Sequence, residues 1–428
     1  MGCHLRRCQV PAHDGLRGDR LLDFRPGRDL TRPADVAAAR RLVLDHVSQP
    51  RSELVDLTKA GGRALATDVL ASHAMPPFAS SAMDGYAALP TLAGVPLRVI
   101  GESRAGHPFA GELHDGEAIA ISTGALAPDG VGVVPVEFAT LDDGVVTPAG
   151  PVSVGDHVRL PGEDLPMGAV ALSAGTVLGP AELSVTAACG LAAGCCTVRP
   201  RVAIVVTGDE LADLGSPLAL GQIHESNGIG LRGLAEQSGA EVVSKARCAD
   251  TREATAKALG DALDGAEIVI ASGGVSVGEH DHVRAVLTED LNAKEVFWRV
   301  PLKPGGPTWF GVGPDGQLIF GLPGNPASAF VTYTLFVAPA IRALLGQTPL
   351  PDPWPAATAE DLPLRNREQA VRVTLEPRPD GPPLAHTTGA QGSHRTTSMS
   401  GAWGLALLPA GDGLLPTGSI VQVEPLPH

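Results

Sequence analysis

The sequence predicts an α/β plus β protein, a multidomain chain with a doubly wound α/β domain set between β-rich parts. Three observations carry this. Residues 199–346 alternate continuous apolar segments with amphipathic ones, the pattern of parallel strands covered by helices on both faces. Residues 75–165 and 347–428 break instead into short β-branched stretches punctuated by Gly, Pro and Asp. The chain has 428 residues, 44% of them hydrophobic, which gives room for two to four domains with sizeable cores. Its 52 Gly and 38 Pro residues follow no Gly-X-Y period, so they mark turns rather than a collagenous or disordered chain.

Along the chain, residues 1–32 read as a flexible N-terminal tail. The stretch MGCHLRRCQVPAHDGLRGDR is basic but lacks the apolar core of a secretory signal. Cys3, His4 and Cys8 leave a metal-binding tail as the alternative. Residues 33–198 form an N-terminal mixed domain into which the β-rich insert, about 75–165, is placed. A helix is expected from Asp35 to Val47, with Val36, Ala39, Leu42, Val43 and Val47 on one face and Asp35 or Thr31 as its cap. SELVDLTKAGGRALATDVLAS reads as a short strand or turn, then a helix, then an extended exit. The insert contributes LRVIGES, EAIAIST, GVVPVEFATL and GVVTPAG, and a helix PAELSVTAACG follows, closed by Gly190.

The texture changes at Arg199. RPRVAIVVTGDEL, AEVVSKARCAD, AEIVIASGG and GQLIFGLPG are strands; SNGIGLRGLAEQSG, TREATAKALGDAL, DHVRAVLTEDL and NPASAFVTYTLFVAPAIRALLG are helices. Trp298, Trp309 and Phe310 fall in the extended stretch between them and read as packing residues. The Pro-rich linker QTPLPDPWPAA then leads into a small C-terminal β domain, 347–428.

The net charge of −15 excludes a nonspecific nucleic-acid or membrane-surface binder. It leaves room for a small anionic ligand, which local N–H groups and a few Lys or Arg hold whatever the global sign. The six cysteines, at 3, 8, 189, 195, 196 and 248, form no paired C-x-x-C motif, so reduced thiols in a cytoplasmic protein are expected. No apolar run of about 18 residues is evident, and no transmembrane helix is expected.

In an open parallel sheet, ligands bind beyond the carboxyl ends of the strands. Four loops are expected there. The first is Thr207-Gly208-Asp209-Glu210, and the second is Ser272-Gly273-Gly274-Val275-Ser276-Val277-Gly278. Lys303-Pro304-Gly305-Gly306-Pro307 is the third, and Gly321 to Ser328 the fourth. In the fourth, Gly324 admits close approach of a ligand and Pro326 suits the first helical position. The N–H groups of Ala327 and Ser328 then face an anion. Gly273-Gly274 offers a second nest of N–H groups, and Lys303 a positive charge. The acids Asp209, Glu210, Glu279 and Asp281 share the edge, and carboxylates beside phosphates imply Mg²⁺. Taken singly, each feature also reads as a turn, a helix cap or a solvated charge. His280 and His282 read as loop residues.

Eight stretches, SSAMDGYA, STGALAPDG, GEDLPMGA, VVTGDEL, ESNG, SGGVSVGEHD, LKPGGP and GLPGNPASA, stand in the order found in molybdopterin molybdenumtransferases. The chain resembles that family, which includes the bacterial MoeA-type enzymes and the E domain of gephyrin, from about residue 33 to its end. The resemblance implies an elongated subunit with an adenylyltransferase-like α/β domain, an inserted β-rich domain and a C-terminal β-barrel-like domain. It implies a homodimer that shares its active sites. Adenylylated molybdopterin and molybdate are the implied substrates, Mg²⁺ the cofactor, and AMP a product. Asp84, Thr123, Asp164, Glu210, Asp250 and Lys303 carry over as catalytic residues, and Glu210 and Asp281 as metal ligands. For Asp164, a plain β-turn role in PGED is the alternative. The implied substrate-binding residues are Ser226, Asn227, Ser272, Gly273, Gly274 and Ser276, with Pro304, Gly305 and the run Pro323, Gly324, Asn325, Pro326, Ala327 and Ser328. A molybdopterin adenylyltransferase and molybdoenzyme-maturation proteins are the implied partners.

Two positions depart from the family pattern. The family has Lys-Pro-Gly-Lys-Pro where this chain has Gly306, a missing charge worth ~1.5–3 kcal/mol if it bonds a charged group. The family also has an acid in the segment matched by Gly130-Val131-Gly132. These losses raise a second reading, a catalytically weakened paralogue that binds or scaffolds the molybdenum cofactor.

Overall fold

The structure is a computed structural model and describes residues 32–275 and 281–427. It divides into two compact units. One comprises the chain up to Glu53, Gly62–Ala66 and everything from Cys195 onward; the other comprises Leu54–Gly61 and Thr67–Gly194.

The larger unit is built on a six-stranded sheet. Its order is Glu241–Cys248, Arg201–Thr207, Ile268–Ser272, Leu318–Leu322, Trp309–Val312, Lys294–Trp298. The first four strands are parallel and the last two antiparallel. The continuous apolar runs VAIVV, IVIA and LIFGL are buried on both faces, which is why they do not alternate. One face packs against helices Val36–Leu44, Asn227–Gln237 and Pro326–Leu344; the other packs against Arg252–Leu263 and the helical segments Val283–Ala285 and Val286–Asp290. Trp309 and Phe310 are fully buried here, as packing residues should be.

The chain leaves Arg201–Thr207 to form Glu241–Cys248 on one side, then crosses to form Ile268–Ser272 on the other. That reversal opens a crevice at the carboxyl ends of Arg201–Thr207 and Ile268–Ser272.

The helix Pro326–Leu344 corrects one expectation. It is long and apolar enough to cross a membrane by length and composition, although no such run was expected. Its apolar character serves the core: Val331, Tyr333, Leu335, Phe336 and Ile341 are all fully buried.

The C-terminal part of this unit is a closed barrel. Glu368–Glu376, Leu384–Thr387, Trp354–Thr358, Ile420–Pro425 and Gly404–Leu408 pair in a ring, the last closing on the first. Leu302–Lys303, from the α/β part of the chain, pairs alongside Glu368–Gln369. Helix Val36–Leu44 also belongs to this unit. Asp35 caps it, accepting from the Ala38 N–H at 2.6 Å. Arg40 then reaches across, donating to Leu335 O at 2.9 Å and to both Glu424 carboxylate oxygens.

The smaller unit carries an open six-stranded sheet in the order Gly132–Pro135, Gly85–Ala88, Glu117–Ile121, Leu97–Ser103, Val145–Pro148, Ala139–Asp142. Helix Pro180–Ala188 starts on Pro180 and ends before Gly190 at φ +83, the expected stop. The helix expected within 52–72 is reduced to the single turn Leu57–Lys59. Gly61-Gly62, the latter at φ +72, breaks it before a second turn forms.

Arg40 and Glu424 form a nearly buried ion pair, so Arg40→Ala leaves a carboxylate without its partner. The expected loss is about 3–5 kcal/mol by guanidinium unfolding; a loss below about 1 kcal/mol would show that the pair is solvated.

Candidate active site

A cavity of about 700 Å³ opens at the crevice between the strand ends. Thr207, Gly208 and Glu210 line it from the first loop, Ser272, Gly273 and Gly274 from the second, and Pro323, Gly324, Asn325 and Pro326 from the fourth. Ser226 and Asn227 line it from the start of a helix, with Asp250, Asp281, Pro307, His394 and Thr396 completing the wall. Ser276, with Glu279 and His280, lies outside the described residues.

The glycines divide by cause. A Cβ on Gly273, at φ +96, would lie 2.7 Å from Thr207 Oγ1 and 2.8 Å from Thr207 O, so packing within the chain demands glycine. A Cβ on Gly324 would have room, its nearest neighbour being Gly273 Cα at 3.5 Å. Chain packing does not explain Gly324; a bare cavity wall does.

Asn227 fastens the site together. Its Nδ2 donates to Ser272 Oγ at 3.0 Å and to Gly324 O at 2.7 Å, tying one helix start to two loops. Its Oδ1 and the Thr207 Oγ1 are buried and accept or donate no bond among the described residues. Two orphaned polar atoms on one cavity wall are what a ligand satisfies. The N–H groups of Gly274, Gly324 and Asn325 are likewise taken up by no described residue.

Two expectations about N–H groups are corrected. Gly273 N–H donates to Leu322 O at 3.1 Å, and Ala327 N–H donates to Ser393 O at 3.1 Å. Ala327 and Ser328 are buried and do not line the cavity. In this loop the free donors are Gly324 and Asn325 N–H, two to four residues earlier, before the helix begins.

Of the acids expected at this edge, Glu210 and Asp281 line the cavity, and Glu279 lies outside the described residues. Asp209 caps no helix; its Oδ1 accepts from the Asp250 N–H at 3.1 Å, and Asp250 Oδ2 accepts from the Asp209 N–H at 3.2 Å. This reciprocal pair carries Asp250 to the cavity beside Glu210 and Asp281. No three His, Cys, Asp or Glu side chains gather into a metal cage among the described residues. Oxygen donors from one or two separate carboxylates fit Mg²⁺ instead, which keeps several waters and leans on substrate phosphates. Glu225 is a residue that sequence reading missed. It is buried, accepts from Gly228 N–H at 2.5 Å and pairs with Lys245 Nζ at 2.7 Å, fixing the turn ahead of Asn227. Its place in ESNG, just before a helix, was the available signal.

The third loop reaches the carboxyl edge only through Pro307. Lys303 and Pro304 line a separate cavity of about 360 Å³, because Leu302–Lys303 joins the barrel. Gly305 lines neither cavity; its φ of +112 and a notional Cβ 2.4 Å from Thr332 Cγ2 make it a packing glycine. Opposite Lys303 stands Arg372, fully buried, with Nε and Nη2 on Ser398 Oγ at 3.1 and 2.9 Å and Nη1 without a partner. Burial alone pulls it down to about 10, so it remains charged at neutral pH. A lone Arg in EQAVRVTLE gives no sign of this in the sequence.

In the smaller unit, Asp84 is exposed on the turn between Ser80–Ser81 and Gly85–Ala88. Thr123 meets it through its main chain, the N–H donating to Asp84 Oδ1 at 2.7 Å. Gly85 is required because a Cβ would lie 2.0 Å from Val134 O. Asp164 is exposed on the wall of another cavity in this unit, about 620 Å³, with His73 and Arg159. In the segment 130–132, position 132 is closed to an acid, since a Cβ on Gly132 would lie 2.1 Å from Ser153 O.

A doubly wound domain whose switch-point cavity offers orphaned polar groups, unused N–H groups and carboxylates defines an enzyme class that grips a small phosphorylated ligand. Residues 34–190 match the family described as MoeA N-terminal region (domain I and II). Residues 203–343 match the probable molybdopterin binding domain and 355–426 the MoeA C-terminal region (domain IV). The molybdopterin molybdenumtransferase of Haemophilus influenzae is 34% identical over 398 residues, covering 91% of this chain and 98% of its own. That of Bacillus subtilis is 32% identical over 404 residues, covering 91% and 94%. The crystal structure of the molybdopterin biosynthesis MoeA protein from Pyrococcus horikoshii aligns with a TM-score of 0.77 at 28% identity, covering 92% of this chain and 99% of that one. The chain belongs to the molybdopterin molybdenumtransferase family, as the order of its motifs indicated.

Asn227→Ala should lower stability by about 1–3 kcal/mol, since Ser272 Oγ and Gly324 O lose their donor. Asn227→Asp should in addition weaken AMP binding at least about tenfold, because it sets a negative charge at an orphaned acceptor. Thermal unfolding and calorimetric titration with AMP check both.

Proposed function

We propose that this chain is a molybdopterin molybdenumtransferase, taking adenylylated molybdopterin and molybdate and releasing AMP in molybdenum cofactor biosynthesis. The observation that carries this reading is the pair of orphaned atoms, Thr207 Oγ1 and Asn227 Oδ1, on the cavity that the family's binding loops enclose.

The nucleotide end of the substrate enters the 700 Å³ cavity, where Gly274, Gly324 and Asn325 N–H groups meet its phosphate oxygens. Thr207 Oγ1 donates to the ligand, and Asn227 Oδ1 accepts from it. Glu210 and Asp281 would hold Mg²⁺, which supplies neutralising charge at the phosphate ester. Asp250 is oriented by Asp209 toward the same edge. Molybdate, a tetrahedral dianion, finds its receptor in Lys303 and the buried Arg372 guanidinium, whose Nη1 has no other partner.

Asp84 supplies a carboxylate that Thr123 N–H holds by one oxygen, leaving Oδ2 with no described donor. In a homodimer, Asp84, Thr123 and Asp164 of one subunit would face the cavity of the other. A rigid glycine turn suits a carboxylate that must reach a neighbouring chain. The implied supplier of substrate is a molybdopterin adenylyltransferase, and maturation proteins would take the product.

Gly306 is the observation that favours the second reading, a weakened paralogue. Arg367 stands close to that position, the nearest cation to a side chain at 306.

Purified protein should release AMP from adenylylated molybdopterin in a molybdate- and Mg²⁺-dependent manner, and Asp84→Ala should abolish release while the fold persists. A well-folded dimer with no molybdate-stimulated release would refute the enzyme reading. Lys303→Gln should raise the KM for molybdate about tenfold with little change in AMP affinity, since the two ligands occupy separate cavities.

A further inference from the structure

A fourth cavity, about 440 Å³, borders the Gly306-Pro307 turn, lined by Arg32, Arg299, Gly306, Pro307 and Arg367 among others. Its three arginines come from three distant parts of the chain. Arg299 sits at φ +70, a left-handed backbone that a side chain adopts only at a cost, and its guanidinium stacks 4.6 Å from the Trp298 ring centroid. Main-chain bonds Arg299 N–H to Thr308 O and Val300 N–H to Gly306 O hold that residue against the Gly306 turn. Arg367 arrives from the barrel, where Glu368 N–H bonds Pro301 O. Arg32 is brought in because the Glu368 carboxylate accepts from Val36 N–H at 2.7 Å. Glu368 is thus the nearest acid in sequence, and it is occupied. None of the three arginines forms an ion pair among the described residues.

In a chain of net charge −15, three guanidinium groups with no ion pair among the described residues gather around one cavity, Arg32 and Arg367 exposed and Arg299 half-buried, where they raise the local positive potential against the global sign. Gly306 sits among them. Its notional Cβ would lie 3.8 Å from Arg367 Nη1, so a lysine there would enter the space that Arg367 already charges.

We infer that Arg367, with Arg299 and Arg32, makes this cavity a second oxyanion site for a tetrahedral dianion, with Arg367 taking over the charge that the Gly306 turn lacks. The bidentate fork of a guanidinium suits such an anion better than an ammonium. The inference goes beyond the Lys303–Arg372 receptor proposed above and is separable from it. The tetrahedral group is either free oxyanion or the phosphoryl end of a nucleotide, and the binding chemistry is the same.

The test is equilibrium dialysis of the full chain with inorganic molybdate, and separately with inorganic phosphate. Beyond any anion held by the switch-point amides, which is common to every variant, wild type should bind two equivalents. Arg367→Gln should lose one of them, the affinity at that site falling about tenfold or more. Lys303→Gln should lose the other, so each variant reports on a different site. Arg367→Lys should retain partial binding, and the double variant Arg367→Gln with Gly306→Lys should regain most of it, which a merely structural role for Arg367 would not allow. If AMP displaces phosphate from the Arg367-dependent site, the site takes a phosphoryl group; if not, it takes free oxyanion. Unchanged stoichiometry and affinity in folded Arg367→Gln would overturn the inference, whatever Lys303→Gln does.

Discussion

The site depends on one side chain. Asn227 donates to Ser272 Oγ and to Gly324 O, so three elements that are far apart in sequence share a single amide at the switch point. Both donor hydrogens are spent on the protein, and the oxygen is left to the cavity. That division fixes the wall while keeping one acceptor for a ligand, next to Thr207 Oγ1 in the same condition. Glu225 supports it from behind through Gly228 N–H and Lys245. The rest of the parallel sheet serves to bring these strand ends to one edge.

A second constraint is where the positive charge lies. The chain is strongly acidic, yet Lys303 and Arg372 on one cavity and Arg32, Arg299 and Arg367 on another form no ion pair among the described residues, whereas Lys245 is held by Glu225. Local placement outweighs global sign because a charge more than about 10 Å away is screened at ordinary salt. Burial sharpens this for Arg372, whose Nη1, without a partner among the described residues, would gain an anion's full hydrogen bond.

Much of the fold was legible because it rests on patterns that the backbone itself imposes. VAIVV, IVIA and LIFGL announce parallel strands by their unbroken apolarity, and Asp35 and Gly190 announce helix ends. The glycine loops were legible as a set for the same reason. What escaped was tertiary. Ala327 looked like an anion donor until Ser393 of the barrel took its N–H, and the third loop looked like a strand end until Leu302–Lys303 joined the barrel. Arg372, Glu225 and Arg367 carry no local signal, since their meaning comes from what they face. Of the segment Gly130-Val131-Gly132, which read as lacking an acid, the glycine at 132 is a steric necessity against Ser153 O.

The central claim is that the switch-point cavity receives the nucleotide end of the substrate. The most direct measurement is a crystal structure of the full chain with AMP. The account predicts the phosphate against the Gly274, Gly324 and Asn325 amides, with Thr207 Oγ1 and Asn227 Oδ1 newly hydrogen-bonded to the ligand. AMP bound elsewhere, with those two atoms still orphaned, would contradict it.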